Sequence, residues 1–136
     1  MSFIKPLTIG SLVLKCNLIQ GPLAGYSCAP MRLLASQWGR PGYCVTEMLS
    51  AYNLAHRIDR SPRYNTIWPE EGPVCFQLAG SDPVILAEAV MRSEEYGASL
   101  IDLNCGCPQP KVRAKKQGSR LLEDLLRLKD CLVAMR

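Results

Sequence analysis

The chain has 136 residues, a length that fits one domain with its own hydrophobic core. Hydrophobic residues make up 48% and charged residues 21%, and this composition excludes an intrinsically disordered chain. The net charge of +4 is mild and by itself only favours an anionic partner.

The cysteines and the N-terminus indicate the cellular setting. The seven cysteines are odd in number and stand mostly in apolar runs, which predicts reduced thiols and no disulfide framework. No apolar run reaches about 18 residues, and the N-terminus lacks the pattern of a signal peptide. The sequence therefore predicts a cytoplasmic protein without a membrane partner.

The first third of the chain predicts a hairpin, a strand and a helix. Two short apolar runs in LTIGSLVLKCNLI, separated by Gly10 and Ser11, are typical of a β-hairpin. NLIQGPLAG predicts a first buried strand that ends in glycine and proline. APMRLLASQWG predicts a helix that ends at Gly39.

The middle of the chain repeats the alternation. GYCVTEM predicts a second strand, followed by a short helix in LSAYNLAHRIDR and a polar connection to Pro69. PVCFQLAG predicts a third strand. SDPVILAEAVMRSEEYG has the marks of a helix, with Ser81 or Asp82 as N-cap, Pro83 at the first helical position and Gly97 after the last turn.

The last third supplies one more unit. SLIDLN predicts a fourth strand, and GSRLLEDLLRLKDCLVAM predicts one or two closing helices. Strands that alternate with helices need crossover connections, and these bring the strands into a parallel sheet. The pattern therefore predicts the α/β class.

Polar residues stand where the predicted strands end. Glu47, Gln77 and Asn104 each follow a mainly apolar run, and Gly21-Pro22 holds the corresponding position on the first strand. Parallel α/β proteins bind ligands at the carboxyl ends of their strands. The pattern favours a ligand site here, although each residue alone could simply begin a loop.

Four stretches carry a resemblance to a known family. GPLAGYSCAPMR, VTEMLSA, VCFQLAGSDP and IDLNCGCPQPKV, in this order, resemble the tRNA-dihydrouridine synthases. The Asn-x-Gly-Cys-Pro string after the fourth strand is the most specific element, and the resemblance covers essentially the whole chain. One departure is Cys28, which stands where the family pattern has aspartate.

The resemblance implies a flavoenzyme of the TIM (β/α)8 barrel family with a separate helical RNA-binding domain. A complete barrel needs roughly 200 to 250 residues, whereas this pattern stops after its fourth unit. Residues 1–136 are therefore expected to form the N-terminal half of a flavin-binding barrel, preceded by a β-hairpin, with the other half and the helical domain absent. The open edges of such a half-sheet predict self-association or aggregation.

The resemblance also implies roles for individual residues. FMN would lie against the backbone of Pro22, Leu23 and Ala24, and Gln77 would hydrogen-bond its isoalloxazine ring. A uridine of tRNA would be reduced to 5,6-dihydrouridine with electrons from NADPH. Asn104 would hold the target uracil, and Cys107 would be the catalytic acid.

The chemistry of a thiol suits an acid. Reducing the uracil double bond places a hydride on one carbon and requires a proton on its neighbour. A free thiol has a pKa of about 8.5, so it is mostly protonated at neutral pH and can donate. Asn104 offers both a donor and an acceptor to a uracil edge. Cys105 faces away from Asn104 by strand alternation, which predicts a packing role.

The segment after Cys107, KVRAKKQGSR, is basic. Lys111 and Arg113 lead it, and we predict that they bind tRNA phosphates with an affinity that falls as salt rises. A solvated helix face is the alternative reading. The run Arg57, Arg60 and Arg63, with Tyr64 nearby, is a weaker candidate for the same task.

Other chemistries fit the residues less well. Cys105 and Cys107 could offer two thiolates to zinc, but His56 is the single histidine and no second close cysteine pair occurs, so no metal is predicted. A redox disulfide is disfavoured because one residue, not two, separates these cysteines. A dihydroorotate dehydrogenase-like flavoprotein and a non-catalytic RNA-binding remnant remain as alternatives.

Overall fold

The computed structural model describes residues 3–58 and 62–136, so Arg60 of the predicted basic run lies outside the described residues. The strands are β1 (Leu7–Ile9), β2 (Leu12–Leu14), β3 (Ile19–Gln20), β4 (Tyr43–Val45), β5 (Leu49–Ser50), β6 (Val74–Ala79) and β7 (Leu100–Leu103). The α-helices are α1 (Ala29–Trp38), α2 (Ala51–Ala55), α3 (Pro62–Asn65), α4 (Pro83–Glu95), α5 (Pro110–Arg113) and α6 (Leu125–Ala134). Two 3-10 helices cover Pro69–Glu71 and Gly118–Glu123.

The first two strands form a small sheet of their own. Strand β1 pairs antiparallel with β2, and Leu7 lies opposite Leu14. Gly10 takes a φ of 58° in the connection, a left-handed conformation that glycine adopts without steric cost.

The other strands form one parallel sheet. Strand β3 pairs with β4, both β4 and β5 pair with β6, and β7 pairs with β6 on its other side. The strands therefore lie side by side in the order in which the chain makes them, with helices in the crossovers. This arrangement confirms the predicted α/β class with a parallel sheet.

A bulge divides the predicted second strand. Val45 lies opposite Cys75 and Leu49 lies opposite Leu78, so three residues on one strand face two on the other. Glu47 is the middle one of the three. GYCVTEM was predicted as one continuous strand, and that prediction is wrong at its end, because an extra residue in a strand disrupts the ladder and redirects nearby side chains.

The hydrophobic core lies between the sheet and its helices. Every residue of β6 is buried. Val74, Phe76 and Leu78 pack with Leu86 of α4 and Cys131 of α6. The alternate residues of β6 face the opposite side of the sheet, since side chains in a strand alternate. Gln77 therefore points away from the helices.

A buried ion pair fixes the connection that leaves β3. The guanidinium of Arg32 lies 2.7 Å from a carboxylate oxygen of Glu71, and both side chains are fully buried. Arg32 also donates to the carbonyls of Ser27, at 2.8 Å, and Thr66, at 2.7 Å. A buried guanidinium needs such partners. The pair thus ties the loop after β3 to the segment that leads into β6.

Helices α1 and α4 follow the predicted boundaries closely. Helix α1 ends at Trp38 with Gly39 as C-cap. Asp82 caps α4 by accepting from the N–H groups of Val84 and Ile85. Three short elements, α3, α5 and the 3-10 turn before β6, were not predicted. In the described part of the chain, no helix is both long enough and apolar enough to cross a membrane.

Candidate functional site

The carboxyl ends of β6 and β7 carry a chain of hydrogen-bonded side chains. Gln77 and Asp102 are neighbours in the parallel register, and the Gln77 amide donates to the Asp102 carboxylate at 2.7 Å. The Asn104 amide nitrogen donates to the Gln77 carbonyl oxygen at 2.8 Å. The predicted site residues Gln77 and Asn104 are therefore in direct contact, and Asp102 extends this row of hydrogen-bonded side chains.

Cys107 joins this row of hydrogen-bonded residues through its backbone. Its N–H donates to the side-chain oxygen of Asn104 at 3.0 Å. The residue is half-buried in the loop after β7, next to exposed Gly106. Each oxygen of an amide has two lone pairs and each amide nitrogen two hydrogens. Asn104 therefore keeps one donor and one acceptor position beyond these contacts.

The loop after β3 forms the next part of the same edge. Pro22, Leu23 and Ala24 are all exposed there. The N–H of Leu23 donates to Ser27 Oγ at 2.8 Å, and the Leu23 carbonyl accepts from the N–H of Ser27 at 2.9 Å. Both backbone groups of Leu23 are used by the turn, so its side chain is what the loop presents.

Glu47 connects this loop to the sheet. Its carboxylate accepts from the N–H of Gly25 at 2.6 Å and from Arg63 at 3.1 Å. Arg63 also donates to the Gly25 carbonyl at 2.5 Å. Glu47 was expected to converge on a ligand with Gln77 and Asn104, and here its carboxylate has protein partners.

Thr46 completes the row. Its hydroxyl oxygen accepts from the backbone N–H of Gln77 at 3.2 Å. Thr46 and Glu47 are adjacent, so the polar contacts run without a break from the loop after β3 to Cys107. The predicted residues on four successive strand ends are thus connected along one edge of the sheet.

Burial and the charge of Asp102 act on the thiols near this row. Burial, and then Asp102, raises the pKa of Cys75 to about 12. The same two causes, in the same order, raise the pKa of Cys105. Cys105 also packs against the core, which agrees with its predicted packing role. Both thiols are therefore protonated at neutral pH.

The basic residues divide into two groups. Lys111, Lys115 and Lys116 are exposed around α5. Arg113 instead donates to Ser119 Oγ at 2.9 Å and to the Glu123 carboxylate at 2.8 Å. The lysines present charge to solvent, whereas the arginine has structural partners.

The second predicted basic run is also engaged. Arg57 lies 3.9 Å from the carboxylate of Glu95, with both side chains exposed, and Arg63 is bound to Glu47.

A cavity of about 270 Å³ opens beside Arg57, between α2 and Tyr96. Its lining includes none of the strand-end residues described above. Across residues 3–58 and 62–136, no group of three or more His, Cys, Asp or Glu side chains could hold a metal ion.

Sequence reasoning missed two contributors to the row. Asp102 lies in β7, two residues before Asn104, which directly follows the strand. Period-2 alternation therefore places both side chains on one face and could have identified Asp102. Thr46 gave no such signal, because its contact with Gln77 depends on the bulge. The alternation of side chains along a sequence does not show where a bulge interrupts the hydrogen bonds between two strands.

These features define a parallel α/β protein with a row of hydrogen-bonded polar residues at the carboxyl ends of its strands. The family model described as Dihydrouridine synthase (Dus) matches residues 19–136. The chain belongs to the dihydrouridine synthase family.

Curated relatives agree with this assignment. The chain is 41% identical over 117 residues to tRNA-dihydrouridine synthase B of Vibrio parahaemolyticus, covering 86% of this chain and 36% of that protein. It is 40% identical over 127 residues to the same enzyme of Vibrio cholerae, covering 89% and 39%. For the probable tRNA-dihydrouridine synthase 1 of Synechocystis, identity is 37% over 118 residues, covering 87% and 33%. The chain thus spans between a third and two fifths of the length of these relatives.

Proposed function

We propose that this chain forms the first four units of a (β/α)8 barrel that reduces a uridine of tRNA to 5,6-dihydrouridine. One observation carries the proposal. Cys107 is half-buried on a loop at the carboxyl edge of the sheet, and its N–H is bound to Asn104. In barrels, this edge is where catalytic residues gather.

The residues fit FMN as the cofactor. When bound, FMN supplies the hydride, and NADPH is the proposed source of its electrons. The exposed side chains of Leu23 and Ala24 offer an apolar surface to a flat ring. Gln77 retains a second N–H and a second lone pair for a ring edge, beyond its bonds to Asp102 and Asn104.

Asn104 and Cys107 would act on the base. Asn104 would use its remaining N–H and lone pair to hold the uracil edge. The Cys107 sulfur would give its proton to the carbon next to the one that takes the hydride, and the thiolate would regain a proton from water. The C=C double bond thereby becomes a single bond with one hydride and one proton added.

The basic residues around α5 would meet the tRNA backbone. Lys111, Lys115 and Lys116 are exposed, and they follow Cys107 closely in the chain. Arg113 is also proposed to approach a phosphate, in addition to its contacts with Ser119 and Glu123. Each phosphate that is neutralised steepens the fall of affinity with salt.

The test compares two neighbouring cysteines in the complete protein. Cys107→Ser should reduce dihydrouridine formation on unmodified tRNA by about 10² to 10⁴-fold, the contribution typical of a general acid. Cys105→Ala removes a packing thiol two residues away and should retain turnover. Both variants should keep the flavin absorbance of the parent. Full turnover by Cys107→Ser would remove the proposed acid.

The same preparation separates the alternatives. Oxidation of dihydroorotate by the complete protein would favour the dihydroorotate dehydrogenase-like reading. Salt-sensitive tRNA binding without flavin absorbance would favour the non-catalytic RNA-binding reading.

A further inference from the structure

Gly118 lies directly against the residue proposed as the acid. It is buried and has a φ of +63°. A Cβ atom built on Gly118 would come 2.5 Å from the carbonyl oxygen of Cys107 and 3.2 Å from its Cβ. Real Cβ atoms do not approach a backbone oxygen this closely. Any side chain at this position would therefore displace the Cys107 peptide.

Both peptide groups of Cys107 are held. The carbonyl accepts from the N–H of Ser119 at 3.0 Å. The N–H donates to Asn104 at 3.0 Å. When the peptide on each side of a residue is fixed, the direction of its Cα–Cβ bond is fixed as well. The sulfur then keeps only rotation about χ1.

The turn that contacts Cys107 is itself braced. Arg113 donates with one nitrogen to Ser119 Oγ and with the other to Glu123. Lys116 has a φ of 58°, so two of the three residues 116–118 are left-handed. A non-glycine residue holds this conformation at a cost and needs support from its surroundings. The Arg113 contacts supply such support to the turn.

We propose that Gly118 and Ser119 are positioning residues that set where the Cys107 thiol stands relative to a bound pyrimidine. Arg113 holds their turn in place. The proposal deepens the proposed function and depends on it for the chemistry of the thiol. The contacts that fix the position of Cys107 do not depend on the proposed function.

Gly118→Ala in the complete protein tests the steric part. The first readout is the rate at which iodoacetamide alkylates Cys107. Peptide mass spectrometry measures this rate, with the alkylation of Cys28 as an internal reference. We expect the Cys107 rate to change by about fivefold or more, because thiol reactivity depends on the local surroundings. The second readout is turnover, where kcat should fall about 10²-fold while KM stays within about threefold.

Gly97→Ala is the matched control. Gly97 also has a positive φ, of 87°, but a Cβ there meets nothing within 4 Å. The control carries the backbone cost of alanine without a contact, so its Cys107 alkylation and its turnover should match the parent. An equal change in both variants would mean that general destabilisation is responsible, and it would overturn the proposal.

A second pair of variants covers the case in which Gly118→Ala does not fold. Ser119→Ala and Arg113→Lys leave the Ser119 N–H in place but remove the brace. Each should change Cys107 alkylation and lower kcat more than it raises KM, whereas a lost phosphate contact would reduce the salt dependence of tRNA binding instead. Unchanged alkylation in both would overturn the proposal.

The readouts also separate this proposal from the proposed function. Cys107→Ser with full turnover would contradict the acid role, while the alkylation result for Gly118→Ala would still hold. Normal Cys107 alkylation in a folded Gly118→Ala protein would contradict the positioning role, while the acid role would still hold.

Discussion

Asp102 sets the orientation of the side-chain amides of Gln77 and Asn104 at the strand ends. A carboxylate only accepts hydrogen bonds, so the Gln77 nitrogen faces it and the Gln77 oxygen faces Asn104. The N–H of Cys107 fixes the other end, because it requires the Asn104 oxygen. The two ends agree, and the row therefore has a single orientation.

Gln77→Glu should disrupt this row in a way that depends on pH. At pH 7 the new carboxylate would face Asp102, and we expect a loss of about 1–3 kcal/mol in the free energy of unfolding. The repulsion raises the carboxyl pKa values in the folded state, so the loss should shrink as the pH falls and the pair takes up a proton. Urea unfolding at neutral and acidic pH measures the effect. Gln77→Met, which is uncharged, should show a loss without this pH dependence.

Cys75 provides a test in the alkaline range. Burial, and then Asp102, raises its pKa from an ordinary value near 9.0 to about 12. A raised folded-state pKa contributes stability below pH 9.0, and this contribution is lost as the pH rises toward 12. Relative to Cys75→Ala, the free energy of unfolding should fall by about 1.4 kcal/mol per pH unit within this window. Parallel curves for the two proteins would contradict the expectation.

At the scale of elements, the caps differ in quality between α1 and α4. Asp82 accepts from two N–H groups at the start of α4. Cys28 occupies the same position in α1 and makes no side-chain cap bond. This residue stands where the family pattern has aspartate, so the departure noted in the sequence falls on a helix cap. Pro30 follows within the first turn and donates no N–H.

Cys28→Asp should therefore stabilise the protein. An N-cap aspartate is worth about 0.5–2 kcal/mol relative to alanine, and its charge also suits the positive end of the helix. Asp82→Ala should lose a similar amount, which makes it the opposing control, and Cys28→Ala should be close to neutral. Thermal unfolding monitored by circular dichroism measures all three. A Cys28→Asp protein less stable than the parent would contradict this account.

At the scale of the whole molecule, a strand edge and several large apolar side chains remain uncovered. Within the described residues, β7 pairs with β6 alone. Large apolar side chains also stay in contact with solvent along α6 and the turn before it, namely Leu122, Leu125, Leu126, Leu132 and Val133. An open strand edge and exposed apolar side chains each favour association.

We predict that the 136-residue chain on its own self-associates or aggregates. Size-exclusion chromatography with light scattering should detect mass above that of one chain at concentrations of about 10–100 µM. Leu126 is 78% exposed, so Leu126→Lys should leave the fold intact and reduce the association. A monodisperse monomer of the parent chain over this range would contradict the prediction.

The sequence predicted much of the fold for local reasons. Asp82 and Gly97 mark the two ends of α4, because an N-cap side chain and a left-handed glycine act over a few residues. Gly39 marks the end of α1 with an ordinary right-handed backbone. The apolar runs of β6 and β7 predicted those strands. The alternation of side chains along a strand predicted the packing role of Cys105. The bulge at Glu47 and the buried pair of Arg32 and Glu71 were not predicted, since both depend on contacts between segments distant in the chain.

By itself, the sequence determined the α/β class, the order of the main strands and helices and the residues at the strand ends, because periodicity and caps are local properties of a chain. The tertiary structure alone decided how these residues are used. It paired Glu47 with Arg63, joined Gln77 to Asp102, and brought Gly118 against Cys107. Such contacts join residues 11 to 25 positions apart, and only packing determines which of them meet.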